Sequence, residues 1–310
     1  MKKCNHCNQK LLDDARFCHN CGKKVIETTI TCEACNVANP STNQNCFSCG
    51  VALPEDSKHQ YKTKFPLDFK ETNQLAPFIK KYFFEAFEEK LKEEQDINKK
   101  EKYFLRFQQS DLGKKFDLRL NQLAEEAYII HAKQDGHVQR KVDHLLSKNF
   151  NQILDHFIIL NARDLNEVPL KEEILQYIEL KHGEFDLQKM VLDFLDFENE
   201  SETYYTDFII MPIKKLKNAS QAFLFPEKDE KIILIADQTV FGSCKEGFAL
   251  TEKGIYWKAH FEKAQKVLFK DLHSIKREKD WISINGLFFN VNPSLNLKML
   301  KLLKKLKEVY

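Results

Sequence analysis

Glycine and proline are scarce in this chain of 310 residues, which contains nine and eight of them. Flexible and disordered linkers are rich in both residue types, so their scarcity argues against long stretches of that kind. The sequence has no run of 18 apolar residues, which argues against a membrane-spanning helix. Its first residues also lack the apolar segment of a secretory signal peptide. We therefore expect a cytoplasmic protein.

The sequence also lacks the short motifs that tie residues to a catalytic mechanism. It contains no GxGxxG fingerprint, no GxxxxGK[ST] phosphate loop, no GxSxG nucleophile turn and no HExxH zinc-protease motif. The histidines between residues 137 and 156 do not follow a metal-binding spacing either. We expect a protein that is not an enzyme, and the alternative is an enzyme whose motif is not recognised.

Cysteine, by contrast, follows a strict pattern near the N-terminus. Four CxxC pairs begin at residues 4, 18, 32 and 46, a period of 14 residues. A CxxC pair lets the backbone turn so that both sulfurs face one ion, and two pairs complete the tetrahedral S₄ site that Zn²⁺ prefers. The pattern predicts two structural zinc ions. The predicted ligands are Cys4, Cys7, Cys18, Cys21, Cys32, Cys35, Cys46 and Cys49.

The equal spacing alone leaves the pairing of these knuckles open, but the neighbouring residues favour one answer. The pairs that begin at Cys18 and Cys46 are followed by Gly22 and Gly50, and glycine can take the left-handed turn that closes a knuckle. The other two pairs lack this glycine and are interpreted as opening knuckles. The first site is then formed by the cysteines of residues 4–21 and the second by those of residues 32–49. Residues 1–50 resemble the double zinc ribbon family, found at the N-termini of many bacterial proteins.

Zinc ribbons contact either nucleic acids or proteins, and the charge of this segment favours proteins. Residues 1–50 carry six basic and four acidic side chains. Each zinc ion with four thiolates adds a formal charge of −2, so the net charge of the segment becomes about −2. A phosphate-binding surface needs clustered lysine and arginine. We therefore interpret the ribbons as protein-contact modules.

A polar linker at residues 51–61 leads into a segment in which apolar residues recur at helical spacing, from about residue 62 to residue 200. The pattern predicts an α-helical middle domain, and it resembles no family that we recognise. The predicted helices include the runs that start near Phe78, Phe116, Val138, Pro169 and Leu187.

From about residue 220 to residue 310 the apolar period becomes that of strands. Asn285 and Gly286 stand between two alternating runs, which is the strongest hairpin signal in the chain. Pro293 then precedes a final amphipathic helix. The predicted strands lie at residues 232–235, 239–243, 248–251, 254–258, 265–270, 280–284 and 287–291. The fold class is therefore multidomain α+β, with two small Cys₄ ribbons, a helical middle and a C-terminal antiparallel β domain.

Seven antiparallel strands closed by a C-terminal helix is the layout of a pleckstrin-homology-like (PH-like) domain. The stretch DQTVFGSCKEGFALT at residues 237–251, followed by KGIY at residues 253–256, resembles bacterial domains of this kind. The resemblance covers residues 220–310 and implies an architecture more than a ligand. Many such domains bind proteins rather than lipids.

The C-terminal end is the basic part of the chain, because residues 245–310 carry 14 basic and seven acidic side chains. We expect the apolar face of the last helix to cover the sheet and its lysines to lie in solvent. Cys244 is the ninth cysteine and belongs to no CxxC pair, so we expect a buried, unreactive thiol.

These patterns predict a non-enzymatic, zinc-binding adaptor or regulatory scaffold that binds proteins. The alternative is a nucleic-acid-associated regulator or a membrane-surface protein, because a basic amphipathic helix can bind phosphates or an anionic bilayer. The residues that would make this contact are Lys298, Lys301, Lys304 and Lys305.

Overall fold

The computed structural model describes residues 20, 29–32, 37–40, 46, 51, 53, 63–133, 138–180 and 185–310. In the N-terminal segment, strands β1 (Thr29–Thr31) and β2 (Ala38–Pro40) pair antiparallel, with Ile30 opposite Asn39. Most of the predicted ribbons and of the linker lie outside the described residues. No helix in the described part of the chain is both long and apolar enough to cross a bilayer.

Four helices pack together after residue 63, and phenylalanine rings fill the space between them. The Phe83 ring centroid lies 4.3 Å from that of Phe116 and 5.5 Å from that of Phe150. The helices predicted from the first three apolar runs are confirmed. The second helix was not predicted, because its ten residues bury only Tyr103 and Phe107 and give too short a repeat. The helices are α1 (Leu75–Glu94), α2 (Lys100–Gln109), α3 (Asp111–Ala132) and α4 (Val138–His156), which continues into a π-helical turn (Phe157–Asn161).

Shorter elements connect this bundle to the sheet. The run after Pro169 forms a 3-10 helix (Glu172–Tyr177) instead of an α-helix. The run near Leu187 is confirmed as helix α5 (Leu187–Leu195). Strand β3 (Thr203–Tyr205) and helix α6 (Ile213–Ala222) follow, and both were missed in the sequence.

The C-terminal part contains two antiparallel sheets. Their strands after β3 are β4 (Ile232–Asp237), β5 (Gly247–Thr251), β6 (Gly254–Lys258), β7 (Gln265–Leu268), β8 (Ile275–Arg277), β9 (Ile282–Ile284) and β10 (Leu287–Phe289). The larger sheet has the strand order β3–β4–β5–β6–β7 and the smaller the order β8–β9–β10. Helix α7 (Pro293–Val309) follows the last strand.

The hairpin predicted at Asn285-Gly286 is confirmed. Both residues have positive φ angles, 52° and 84°, as a two-residue turn between twisted strands requires. The turn places Leu287 opposite Ile284 in the β9–β10 pair. The Asn285 side chain also accepts hydrogen bonds from the backbone N–H groups of His273 and Ser274, both at 3.0 Å.

The strand predicted at residues 239–243 is wrong, because this segment forms a turn. The Asp237 Oδ1 atom accepts hydrogen bonds from the backbone N–H groups of Thr239 at 2.9 Å and Cys244 at 3.1 Å. Gly242 has a φ of 63°, which no strand adopts. The structure instead has a strand that was not predicted, β8, whose three residues are too few to show an alternating pattern.

The apolar side chains form two main cores. The first lies inside the α1–α4 bundle. The second joins both sheets and α7 with the 3-10 helix and α5, so that Ile174 and Met190 share a core with Trp257 and Leu300. The prediction that the apolar face of α7 packs on the sheet is therefore confirmed. The predicted domain boundaries at residues 200 and 220 stay a prediction, although side chains before residue 200 contribute to the core of the sheet.

Helix α7 begins at Pro293, close to where the sequence predicts its N-terminus. Pro293 occupies the first turn, where its missing N–H costs no hydrogen bond. The Asn292 Oδ1 atom caps the helix by accepting a hydrogen bond from the backbone N–H of Leu295 at 2.8 Å.

Candidate metal centre and interaction surfaces

Two of the eight predicted zinc ligands, Cys32 and Cys46, lie in the described residues, and both are buried. They belong to one small apolar cluster with Leu53. The backbone N–H of Cys32 donates to the Val37 carbonyl at 2.8 Å, and that of Cys46 donates to the Val51 carbonyl at 2.7 Å. In both CxxC pairs of the predicted second site, the backbone N–H of the first cysteine therefore donates to the carbonyl of the residue five positions later.

Asn39 is a buried polar residue beside this cluster. Its Nδ2 atom donates to the Cys46 sulfur at 3.4 Å and to the Val37 carbonyl at 2.7 Å. An N–H group directed at a sulfur stabilises the negative charge of a thiolate, and such contacts orient metal ligands. Sequence reasoning missed this residue, because a single asparagine between two CxxC pairs carries no pattern of its own.

The Cys32 and Cys46 side chains fit the chemistry of a structural zinc site. Two thiolates buried in an apolar cluster need a cation or N–H donors to offset their charge. Neither cysteine forms a disulfide. With only two ribbon cysteines described, that part of the chain contains no group of three or more potential metal ligands. The other predicted ligands lie outside the described residues: Cys4, Cys7, Cys18, Cys21, Cys35 and Cys49.

The lysines of α7 lie against the preceding helices, and the expectation that they are all solvated is wrong. Lys298 and Lys301 are only 3% and 8% exposed. The Lys298 Nζ atom lies 2.7 Å from the Glu200 carboxylate, and the Lys305 Nζ atom donates to the Ile178 carbonyl at 2.9 Å. The physical reason is that acidic side chains and free carbonyls from the part of the chain before residue 201 face this side of α7.

A buried ion cluster joins α1, α4 and α7. The Lys301 Nζ atom lies 2.6 Å from Glu94 Oε2 and 3.0 Å from Asp155 Oδ1. The Lys90 Nζ atom also lies 3.0 Å from Asp155 Oδ1, and the Lys304 Nζ atom lies 3.2 Å from Glu94 Oε1. Three lysines thus surround two carboxylates, so each carboxylate has more than one cationic partner.

The charges in this cluster stabilise one another despite their burial. Burial by itself raises the pKa of Glu94, but Lys301, Lys90 and Lys304 together lower it well below its ordinary value of 4.5. Burial lowers the pKa of Lys90, but Asp155 and Glu94 raise it above its ordinary value. Glu94 is therefore ionised and Lys90 protonated at neutral pH, and the ion pairs join α7 to the helical bundle.

Cys244 is buried, as expected, and does not form a disulfide. Burial, with a further contribution from the Asp237 carboxylate, raises the pKa of its thiol to about 12. The thiol is therefore protonated at neutral pH, and a protonated thiol is a poor nucleophile.

Six large apolar side chains are exposed on three neighbouring segments of the C-terminal part, and we call them the loop patch. The segments are residues 209–218 (the approach to α6 and its first turns), the β4–β5 loop and the β6–β7 loop. Ile209, Phe241 and Phe261 are 95%, 96% and 92% exposed. The loop patch consists of Ile209, Ile210, Ile213, Val240, Phe241 and Phe261.

Hydrogen bonds hold these three segments next to one another. The Asn218 Nδ2 atom, in α6, donates to the Ser243 carbonyl of the β4–β5 loop at 2.7 Å. The His260 Nδ1 atom, in the β6–β7 loop, lies 2.9 Å from a Glu246 carboxylate oxygen at the end of the β4–β5 loop. Each segment therefore has fixed contacts with its neighbour, while its apolar side chains point to solvent.

The comparisons with known proteins identify one part of the chain. Residues 4–50 match the family model described as a double zinc ribbon. No curated protein and no solved structure matches the chain. The N-terminal segment therefore has the sequence of a zinc-binding module, and its eight cysteines lie within the matched residues.

Proposed function

We propose that this chain is a non-enzymatic, zinc-binding adaptor or regulatory scaffold that holds partner proteins. Residues 4–50 bind two structural zinc ions through their eight cysteines, with each ion in a closed shell of four thiolates. The observation that carries the proposal is the loop patch. Exposed groups of large apolar side chains are uncommon in folded proteins and mark surfaces that another molecule covers.

The conformation of Phe261 supports a role in binding. Its φ is 59°, a left-handed conformation that costs a bulky residue of the order of 1–3 kcal/mol. The strained backbone holds an aromatic ring in solvent, where the ring gains nothing from burial. Aromatic side chains are enriched at the centres of protein interfaces, so a bound partner would recover that cost.

The charges around the loop patch indicate the kind of partner. Lys214, Lys217, Lys245 and Lys263 are exposed on the same three segments, and they outnumber the acidic side chains there, the exposed Glu262 and the half-buried Glu246. A protein interface commonly has an apolar centre and a polar rim of complementary charge. The partner that fits is therefore a protein with an apolar contact area bordered by acidic side chains.

The C-terminal part acts in this proposal as a PH-like domain of the bacterial type. The seven strands β4–β10 run antiparallel in groups of four and three, and α7 follows them. This order supports the assignment, with β3 as an additional strand at the edge of the larger sheet. A cytoplasmic location completes the proposal.

A nucleic-acid-associated or membrane-surface function is the alternative proposal, with Lys298, Lys301, Lys304 and Lys305 as its contacts. The carboxylates and carbonyls that bind these lysines favour a protein partner instead. A lysine must leave such a partner before it can bind a phosphate, and for a buried lysine that exchange is costly. An enzyme whose motif is not recognised is a further alternative.

A site-specific photocrosslinking experiment tests the adaptor proposal. A photoreactive residue at position 241, in the loop patch, should trap one protein repeatedly in the cells that make this chain. The same residue at position 118 is the control, because Leu118 is also exposed but lies on α3. With the photoreactive residue still at position 241, the Phe261→Ser variant should fold normally and lose the trapped protein. A variant that keeps all its partners would contradict the proposal, and nucleic acid released by salt would favour the alternative.

A further inference from the structure

A cavity of about 600 Å³ lies between α3, α4 and residues 175–179, which are the end of the 3-10 helix and the two residues after it. Helices α3 and α4 each line it with four residues at positions i, i+3, i+4 and i+7, which share one face of a helix. Residues 175–179 form the third wall. A volume of this size is within the range of pockets that bind small molecules.

The floor of the cavity is apolar. It is formed by Leu112 and Phe116 from α3, Ile153 from α4, and Leu175 and Ile178 from the third wall. Phe116 is buried, whereas the other four are only half-buried and keep part of their surface in contact with water. A ligand with an apolar body would cover that surface and gain the free energy of its burial.

The walls above this floor carry more positive than negative charge. Lys115 and Arg119 place two positive charges at the cavity, against the single carboxylate of Glu179, and His156 also lines it. Glu179 already accepts a hydrogen bond from Gln152 at 3.0 Å. The wall therefore attracts an anion more strongly than a cation.

The two permanent cations differ in their partners. The Arg119 guanidinium is fixed at the wall, because it lies 3.0 Å from Glu126 Oε1 and also donates to Asn149 Oδ1. Lys115 has no carboxylate within ion-pair distance among the residues that the structure describes. An ammonium group without a counter-charge, above an apolar floor, is the feature that selects a ligand.

We infer that this cavity binds one small amphipathic carboxylate, with its hydrocarbon chain on the floor and its carboxylate beside Lys115. The positive charges of Lys115 and Arg119 disfavour the corresponding amine. A neutral ligand would cover the floor but would leave Lys115 without a counter-ion, so it binds more weakly than the acid.

Isothermal titration of the full zinc-loaded chain with decanoate, below its micelle concentration, tests this inference. Decanoate should bind with one molecule per chain, and decylamine should bind at least about tenfold more weakly because it has the same chain and the opposite charge. The Lys115→Glu variant should raise the Kd for decanoate about tenfold or more. Lys115 is exposed, so this variant should keep its fold.

Lys114→Glu is the matched control, because it makes the same change of charge on the residue that precedes Lys115. The Lys114 side chain lies 3.3 Å from Asp111 and does not line the cavity. The Kd of the Lys114→Glu variant for decanoate should equal that of the unmodified chain. The Phe241→Ser variant, which changes the loop patch, should also keep this Kd. The inference is overturned if decanoate does not bind, if decylamine binds equally well, or if Lys114→Glu and Lys115→Glu weaken binding to the same extent.

Discussion

The Lys301 Nζ atom lies 2.6 Å from Glu94 Oε2, and this ion pair joins the last helix of the chain to the first long one. Both side chains are almost completely buried. Asp155 of α4 and Lys304 of α7 extend the contact. The basic residues of α7 therefore have an internal role, because they neutralise carboxylates of the helical bundle.

Removing Lys301 should destabilise the fold. In the Lys301→Met variant, Glu94 and Asp155 each lose a cationic partner inside the protein, and the free energy of unfolding should fall by about 3 kcal/mol. Urea unfolding followed by circular dichroism measures the change. Lys80→Met is the control, because the Lys80–Asp117 pair is exposed and contributes at most about 1 kcal/mol. Equal losses in the two variants would contradict a stabilising role for the cluster.

The same cluster should make the protein sensitive to acid. The folded-state pKa of Glu94 is well below its ordinary value of 4.5, and that of Asp155 is also lowered by Lys301 and Lys90. The stability that these groups contribute is therefore present above the unfolded-state pKa and is lost as the pH falls below it. The urea midpoint should decrease as the pH is lowered through 4.5.

The Glu94→Gln variant separates this cluster from the other carboxylates of the chain. It should be less stable at neutral pH, and its urea midpoint should change less with pH than that of the unmodified chain. An identical pH dependence in both proteins would show that the cluster does not contribute to acid unfolding.

The Asn39 side chain should increase the affinity of the second zinc site. Replacing it with leucine removes the N–H donor at the Cys46 sulfur, and contacts of this kind are worth about 10- to 100-fold in metal affinity. Competition with a chromogenic chelator measures the loss. The zinc ion of the first predicted site is the internal control and should be released as in the unmodified chain. Unchanged release of both ions would exclude this role for Asn39.

The elements whose sequence pattern is contained within a short stretch of the chain could be predicted. Helices α1, α3 and α4 show an apolar repeat over four or more turns, and the Asn285-Gly286 turn specifies its hairpin locally. Strand β8, helix α2 and the turn at residues 239–243 could not be predicted in the same way. Strand β8 and helix α2 are too short for a period to appear, and the side-chain contacts of Asp237 convert residues 239–243 into a turn.

The sites depend on contacts between distant parts of the chain, and here sequence reasoning was less successful. The CxxC period identified the zinc-binding segment because all the ligands of a ribbon lie close together in sequence. The lysines of α7 were predicted to lie in solvent because their partners Glu94, Asp155 and Glu200 precede them by about 100 to 200 residues. The loop patch was missed for the same reason, since three segments form it.

The ribbons should unfold without the rest of the chain when zinc is removed. The α1–α4 bundle and the sheet with α7 have apolar cores of their own, and neither core includes the described ribbon residues. A strong chelator should therefore leave most of the helical circular dichroism unchanged. Cooperative melting of the whole chain on chelation would show that the ribbons are part of the main core.

The zinc content of the purified chain tests the central claim most directly. Elemental analysis should find two zinc ions per chain, and the Cys4→Ser and Cys46→Ser variants should each lose about one of them, because each removes a thiolate from a different site. Cys244→Ser is the control and should keep both ions, since Cys244 is buried in the C-terminal part. A content near one zinc ion per chain, or iron in a coloured cluster, would contradict two Cys₄ zinc sites.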